Sequence, residues 1–469
     1  MIEPQRSGCA QNGFIKKPNR GHVAGHCFFE ECEATALALT SEQFVAIVRG
    51  HERYLSGLTG GKRADLSRAD LSGLTLRNLR LGGALLSGIN FSGCTLNGCD
   101  FSSADLFASN FSRAEAAGAS FERSDLRGAN FKKAKLQRAV FDGADLRPGL
   151  IIDGEDGTLA QSGLVTQGRP AEANLSGSEL TSASFEGAQL RQANFSGANL
   201  AHTNFTNAAA QGANFRGAIL SEANLTGMNL EGASISPGTG SLPIDVQRIF
   251  RDHALWADSF GEEGRRADLR KADLRGQNLS GVYLSGADLR GANLSGAILS
   301  RALLVLADLR EADLSGADLR RAEVSGANLT GASLQRVRMS EAIGDAIDIV
   351  GGGGKKTGQR QATKFSNARM GAAQLDRVSM RDANFSSADL SGTSCEGGKF
   401  LRANFSDADL SGAVFRRTDL SEANLSRARL EGTRLDFANL RQADLAECDL
   451  SAAVVVGADL TGTGLAKKR

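Results

Sequence analysis

Thiol and imidazole groups gather near the start of the chain, at Cys9, His22, His26, Cys27 and Cys32. These are zinc-ligand types, and four of them would complete a tetrahedral site. Their spacing matches no paired C-x2-C pattern, and adjacent His26 and Cys27 are awkward ligands for one ion. The segment 1–39 is therefore expected to be a poorly ordered tail without metal. His51 and His253 recur at like places, each three residues before an aromatic, Tyr54 or Trp256. A general base needs a nucleophile or an acid at a fixed distance. None recurs beside them, so packing is their expected role. The stretch from Gly351 to Thr357 reads GGGGKKT. A phosphate loop needs its second glycine where Lys355 stands, and a helix after it. Asp153, Glu155 and Asp156 are acids in a Gly-flanked loop and are expected to be solvated. The residues predict no catalytic group, no cofactor and no metal.

The element that dominates the chain is a five-residue word, A-(D/N)-L-(S/T/R)-(G/x), as in Ala64-Asp65-Leu66-Ser67-Arg68. Its central Leu or Phe recurs every five residues from Leu66 to Leu146, Leu175 to Ile235, Leu269 to Met339 and Phe365 to Leu465. Five fits neither a helical nor a simple strand period. Within a word, Ala and Leu are two apart and point to one side of an extended segment, while the Asp or Asn between them points away. Gly and small polar residues then supply a corner. Each word is one short strand and one corner, and four words close a coil. Coils stack at the strand spacing of about 4.8 Å. A fixed short period of this kind predicts a solenoid.

These words resemble bacterial pentapeptide-repeat proteins. The resemblance implies an all-β fold, a right-handed quadrilateral β-helix. Some members of that family are described as duplex-DNA mimics that bind type II topoisomerases, a role that requires a strongly acidic rod. Here Asp words are answered by nearby Arg, with further bases at Lys364, Arg369, Lys399, Arg429 and Arg434. The role is disfavoured accordingly.

Phe spacing supports four sides independently. Phe91, Phe101, Phe111, Phe121, Phe131 and Phe141 are ten apart, as are Phe185, Phe195, Phe205 and Phe215. Ten residues are two sides of a square. Two opposite aromatic ladders follow, 91/111/131 and 101/121/141. Leu66, Leu289, Leu294, Phe385, Phe405 and Leu420 are expected to point inward with them. Cys94, Cys99 and Cys448 hold the inward Ala position and Cys395 a central one, so they read as small buried groups. Lys+Arg is 54 against Asp+Glu 53, which argues against broad attraction to nucleic acid or anionic membrane. No long apolar run and no signal-like start are present, so neither membrane insertion nor export is expected, and the cytoplasm is the expected location.

Two segments look like one device used twice. Thr40 to Leu66 and Ser241 to Leu269 each carry a helical pattern, then Gly, two bases and A-D-L. Thr40 and Gln43 form a capping box, and Pro243 and Asp245 suit a helix first turn. Phe44, Ile47, His51 and Tyr54 share one helical face, as do Val246, Ile249, Phe250, His253 and Trp256. Such helices would cover the exposed first coil of a solenoid. Two helix-capped solenoids follow, 40–235 and 241–469, joined by a hinge at 236–240. Each carries one projecting loop, 147–172 or 340–363. The C-terminal coil has no cap and is a surface on which a second copy could stack. The expected function is a scaffold for a protein partner, with a metal or ligand binder built on the loops or the Cys/His tail as a further alternative.

Overall fold

The computed structural model describes residues 39–149, 170–236, 241–350 and 356–463. Parallel bridges join residues twenty apart in four columns, for example Asp105 to Asp125, Asn110 to Asn130, Glu115 to Lys135 and Ser120 to Val140. Twenty residues are one coil and the four columns are its four walls. At each corner one residue takes left-handed backbone angles, whether it is Gly93 (φ 66°) or, a coil later, Arg113 (φ 59°). A non-glycine residue loses roughly 1–2 kcal/mol there. The conformation points the corner N–H at the next coil, and Arg113 N–H donates to the Lys132 carbonyl at 2.9 Å.

The Asp or Asn of each word braces the corner that follows. Asn90 Oδ1 accepts the Ser92 N–H at 3.1 Å, and Asp65 Oδ1 accepts the Ser67 N–H. This is an Asx turn. The amides also link coil to coil, with Asn110 Nδ2 donating to Asn90 Oδ1 and Asn130 Nδ2 to Asn110 Oδ1. At the inward small position, hydroxyl and thiol groups donate to a carbonyl of the previous coil, as from Thr203 to Leu180 and from Cys94 to Leu71. Burial pushes the Cys94 and Cys99 thiols up to about 11, so they are unreactive donors.

Leu66, Leu289, Leu294, Leu420 and all the ladder Phe side chains are at most 2% exposed. Phe111 stacks on Phe131 at 4.7 Å, Phe121 on Phe141 at 4.8 Å, and the two ladders meet edge to face, Phe111 to Phe121 at 5.4 Å. Offset and edge-to-face pairs suit the ring quadrupoles. The ladder passes through the first insert without a gap, because Phe141 stacks on Phe185 at 4.6 Å. A Phe365, Phe385, Phe405 ladder recurs in the fourth run. The third run fills its interior with Leu and Val instead.

Both inserts leave at a corner and the columns resume. Asn130 pairs with Asn174 and Asn328 with Lys364. The first insert closes at a neck where Gly149 and Ala171 exchange N–H···O bonds of 2.8 Å. The second, expected as an irregular loop, is an antiparallel hairpin of β1 (Ile347–Val350) and β2 (Lys356–Gln361). The short alternation Ile-Asp-Ile-Val carries that strand signal, which the adjoining glycine run obscured.

Helix α1 (Ser41–Leu55) begins at the Thr40/Gln43 capping box and buries Phe44, Val48 and His51. Ile47 is partly buried on the same core, whereas Tyr54 is 48% exposed and stacks on His51 from the solvent side, ring centroids 5.7 Å apart. Helix α2 (Ile244–Asp258) starts after Pro243, which is the N-cap rather than a first-turn residue. It buries Phe250 and His253 as the pattern predicts, and also Gln247, Ala254 and Leu255, which the pattern did not place inside. Val246 and Ile249 are partly buried against the second core, and Trp256 is half-buried.

Candidate interaction surfaces

The recurring histidines are bolts of the caps. His51 Nδ1 accepts the Ala64 N–H at 3.1 Å, so its Nε2 carries the proton and donates to the Gly82 carbonyl at 3.1 Å. His253 Nδ1 accepts the Ala267 N–H at 3.0 Å, and its Nε2 faces the Ser285 backbone without reaching hydrogen-bond geometry. Both rings are buried, and burial lowers both pKa values, that of His253 to about 4. A buried neutral imidazole whose Nδ1 is fixed by a backbone N–H is a structural joint. The sequence reading missed a second bolt. Arg63 Nε donates to the Gly83 carbonyl and Arg266 Nε to the Gly286 carbonyl, each twenty residues on. The signal was present as the paired bases before each first A-D-L word.

Helix α2 also lies against the first solenoid. Arg251 pairs with Glu179 at 2.6 Å and donates to the Gly177 carbonyl, while Ser221 donates to Gln247. A Cβ on Gly197 would stand 2.8 Å from Leu255 Cγ, and one on Gly217 would stand 2.6 Å from Ala254 Cβ. Beyond the helix, Glu263 pairs with Lys132 and Lys133, each at 3.2 Å. Burial works to raise the Glu263 pKa, but the two ammonium groups outweigh it and hold the carboxyl below its usual range. The rings of Trp256, His253 and Tyr283 follow one another at 5.4 and 5.7 Å, and the Arg216 guanidinium of the first solenoid lies 5.0 Å from the Tyr283 ring. Ser236, where a hinge is expected, is buried and donates to the Gly281 carbonyl at 2.9 Å; residues 237–240 lie outside the described residues.

Many wall carboxylates are neutralised locally. Asp268, Asp288 and Asp308 form one column, and each accepts a forked pair of bonds from the Arg two residues on. The Arg270 fork holds the Asp268 carboxyl at about 2. That column continues as Asn328, Lys364 and Asn384. In the first solenoid the column Asp65, Asp105, Asp125, Asp145 is broken by Leu85, and Arg127 and Arg147 fork the last two acids. The outward Asp and Asn, the groups a DNA-mimic role would need, are thus mostly engaged in corners and local forks.

Two places depart from the regular wall. The hairpin projects near Leu306 and Gly326, with Ile347 at their side and its neck tied by the buried Thr363 hydroxyl, which accepts the Gly326 N–H at 2.8 Å. At the C-terminal end, Leu450, Val455 and Leu460 are only partly buried, and Phe437, Val454 and Val456 are exposed. The candidate metal residues Cys9, His22, His26, Cys27 and Cys32, the acids at 153, 155 and 156, and the glycines 351–354 with Lys355 lie outside the described residues. Among the described residues no helix is long and apolar enough to cross a membrane.

Twenty-residue coils, four walls and inward Leu or Phe define a quadrilateral β-solenoid protein. The family model for pentapeptide repeats matches residues 64–147, 171–236, 267–304, 307–343, 361–394 and 399–464 in overlapping segments, well over half of the chain. The chain belongs to the pentapeptide repeat family, and its fold is the right-handed four-sided β-helix. Solved structures similar to it include a trypsin-treated QnrB1, a plasmid-mediated fluoroquinolone resistance protein (16% identity, 40% of this chain and 86% of that one, TM-score 0.25). Another is HetL, a pentapeptide repeat protein involved in heterocyst differentiation regulation from the cyanobacterium Nostoc sp. strain PCC 7120 (23% identity, 70% and 91%, TM-score 0.17). A pentapeptide repeat protein from Arabidopsis thaliana thylakoid lumen is 27% identical over 23% of this chain and 83% of its own, with a TM-score of 0.16. Comparison with curated proteins gives no match.

Proposed function

We propose that this protein is a non-catalytic scaffold that presents flat solenoid walls and two inserts to a protein partner. The observation that carries this reading is the local engagement of the wall side chains. Asp and Asn brace corners, and the forked Arg groups neutralise the Asp columns. What remains for recognition is the shape of the walls and the features that interrupt them, above all the hairpin from Ile347 to Gln361. A cytoplasmic location goes with the free buried thiols Cys94, Cys99 and Cys395. The partly buried Leu450, Val455 and Leu460 support a second copy docking on the C-terminal coil.

The test is affinity capture with intact protein and with a variant lacking residues 348–360. A partner lost with the hairpin locates recognition there, and one retained locates it on the walls. Turnover of a small molecule that a single insert substitution abolishes would sink the scaffold reading. The topoisomerase-binding, DNA-mimic alternative lacks its required acidic stripe in the columns described above. A supercoiling assay with a type II topoisomerase checks it, and inhibition at stoichiometric protein would reinstate it. Sedimentation of the wild type against a Val456→Asp variant tests self-association.

A further inference from the structure

We infer that α2 is a two-sided wedge that locks the two solenoids into one rigid, angled body. The helix belongs to both. One face, with Phe250 and His253, closes the first coil of the second solenoid. The other face, with Gln247, Arg251, Ala254 and Leu255, lies along a corner of the first solenoid. Contacts progress steadily along that corner. Gln247 meets Ser221 at the next corner of the last coil, and along the corner itself Ala254 meets Gly217, Leu255 meets Gly197 and Gly177, and Glu263 meets Lys132 and Lys133. Gly177, Gly197 and Gly217 occupy one corner position of three successive coils, and Lys133 holds that position one coil earlier. The absence of side chains at the three glycines makes the track in which α2 sits.

The direction of the helix fixes the angle. Along the corner, α2 runs antiparallel to the axis of the first solenoid. As a lid over an end coil it runs across the axis of the second. The rods therefore cross steeply instead of continuing one another. The bridges agree, because the columns of the first solenoid stop at Ile219, Asn224, Asn229 and Ser234 and restart at Asp268 with no pairing between. The stacked Arg216 and Tyr283 and the bond from Ser236 to Gly281 close the inside of the elbow. A partner that touches both solenoids meets two walls at one set angle.

The experiment pairs two substitutions. Gly197→Val places a Cβ 2.8 Å from Leu255 Cγ, at φ 59°. Gly187→Val suffers similar left-handed strain at φ 66° but meets nothing within 4 Å. Spin labels on exposed Arg123 and Arg417, one per solenoid, report the angle in full-length protein. The wild type and Gly187→Val should give one narrow distance distribution and one calorimetric transition. Gly197→Val should widen the distribution at least twofold and split the transition. Glu263→Lys, a charge reversal facing Lys132 and Lys133, should widen it with unchanged far-ultraviolet circular dichroism. A broad distribution in the wild type overturns the inference. So does equal behaviour of the two valine variants, or a narrow distribution in Glu263→Lys.

Discussion

At the scale of single residues, most side chains that invite chemical reading serve the coil. His253 is the clearest case, and its burial gives a testable pH signature. Its pKa falls from 6.5 in the unfolded chain to about 4 in the fold. The folded protein resists the proton that the unfolded chain accepts, so the stabilising contribution is complete above pH 6.5 and is lost as pH falls toward 4. The slope in that window is about 1.4 kcal/mol per pH unit. Melting temperature should therefore drop between pH 7 and pH 5, and His253→Asn should flatten that drop while lowering stability throughout. The neighbouring charge is Arg266, which works in the same direction. Carboxylates held low by Arg, such as Asp268 at about 2, lose their contribution only below their unfolded range near 3.8, outside this window. In the interior, Phe111→Ala removes a ring stacked on Phe131 and edge-on to Phe101 and Phe121, and should cost roughly 3–5 kcal/mol by urea unfolding.

At the scale of elements, the coil was legible in the sequence because its two constraints, inward pairs two apart and a corner every five residues, act within each word. The ladders 91/111/131 and 101/121/141 followed from spacing alone. The caps were legible where they touch only their own solenoid, as with Phe44, His51 and the Thr40/Gln43 box. Tyr54 and Val48 exchanged places because a helix drifts around its axis, so the residue one turn beyond His51 clears the coil end. Ala254 and Leu255 stayed hidden for a different reason. They answer glycines some forty to eighty residues earlier, and no local period reports such a pairing. The hairpin was missed because four strand residues sit beside a glycine run. A cap prediction belongs here. Gly61 has no room for a side chain, since a Cβ would come within 2.4 Å of the Tyr54 backbone nitrogen. Gly61→Ala should lift α1 from the first coil, which hydrogen exchange at Leu66 and Leu71 would record as faster than in the wild type.

At the scale of the whole molecule, the two solenoids differ in interior but share their opening device, and among the described residues no helix covers the last coil of either. The first solenoid ends in half-buried Leu220, Leu225 and Leu230, and the second in Leu450, Val455 and Leu460. The second solenoid's cap lies beside the first rod's last coil, so coil-on-coil association is expected at the far C-terminal end. Val456→Asp should lower any dimer fraction measured by sedimentation, while Leu225→Asp should chiefly lower stability. The aromatic stack at the elbow has a practical consequence. Trp256 is the chain's one tryptophan, and it lies on His253 and over Gly286, where α2 closes the second solenoid. Its fluorescence is thus a native probe of the seat of α2 on the second solenoid. A red shift on dilution into mild denaturant, ahead of any loss of β signal, would time the lifting of α2 from the second solenoid without a label.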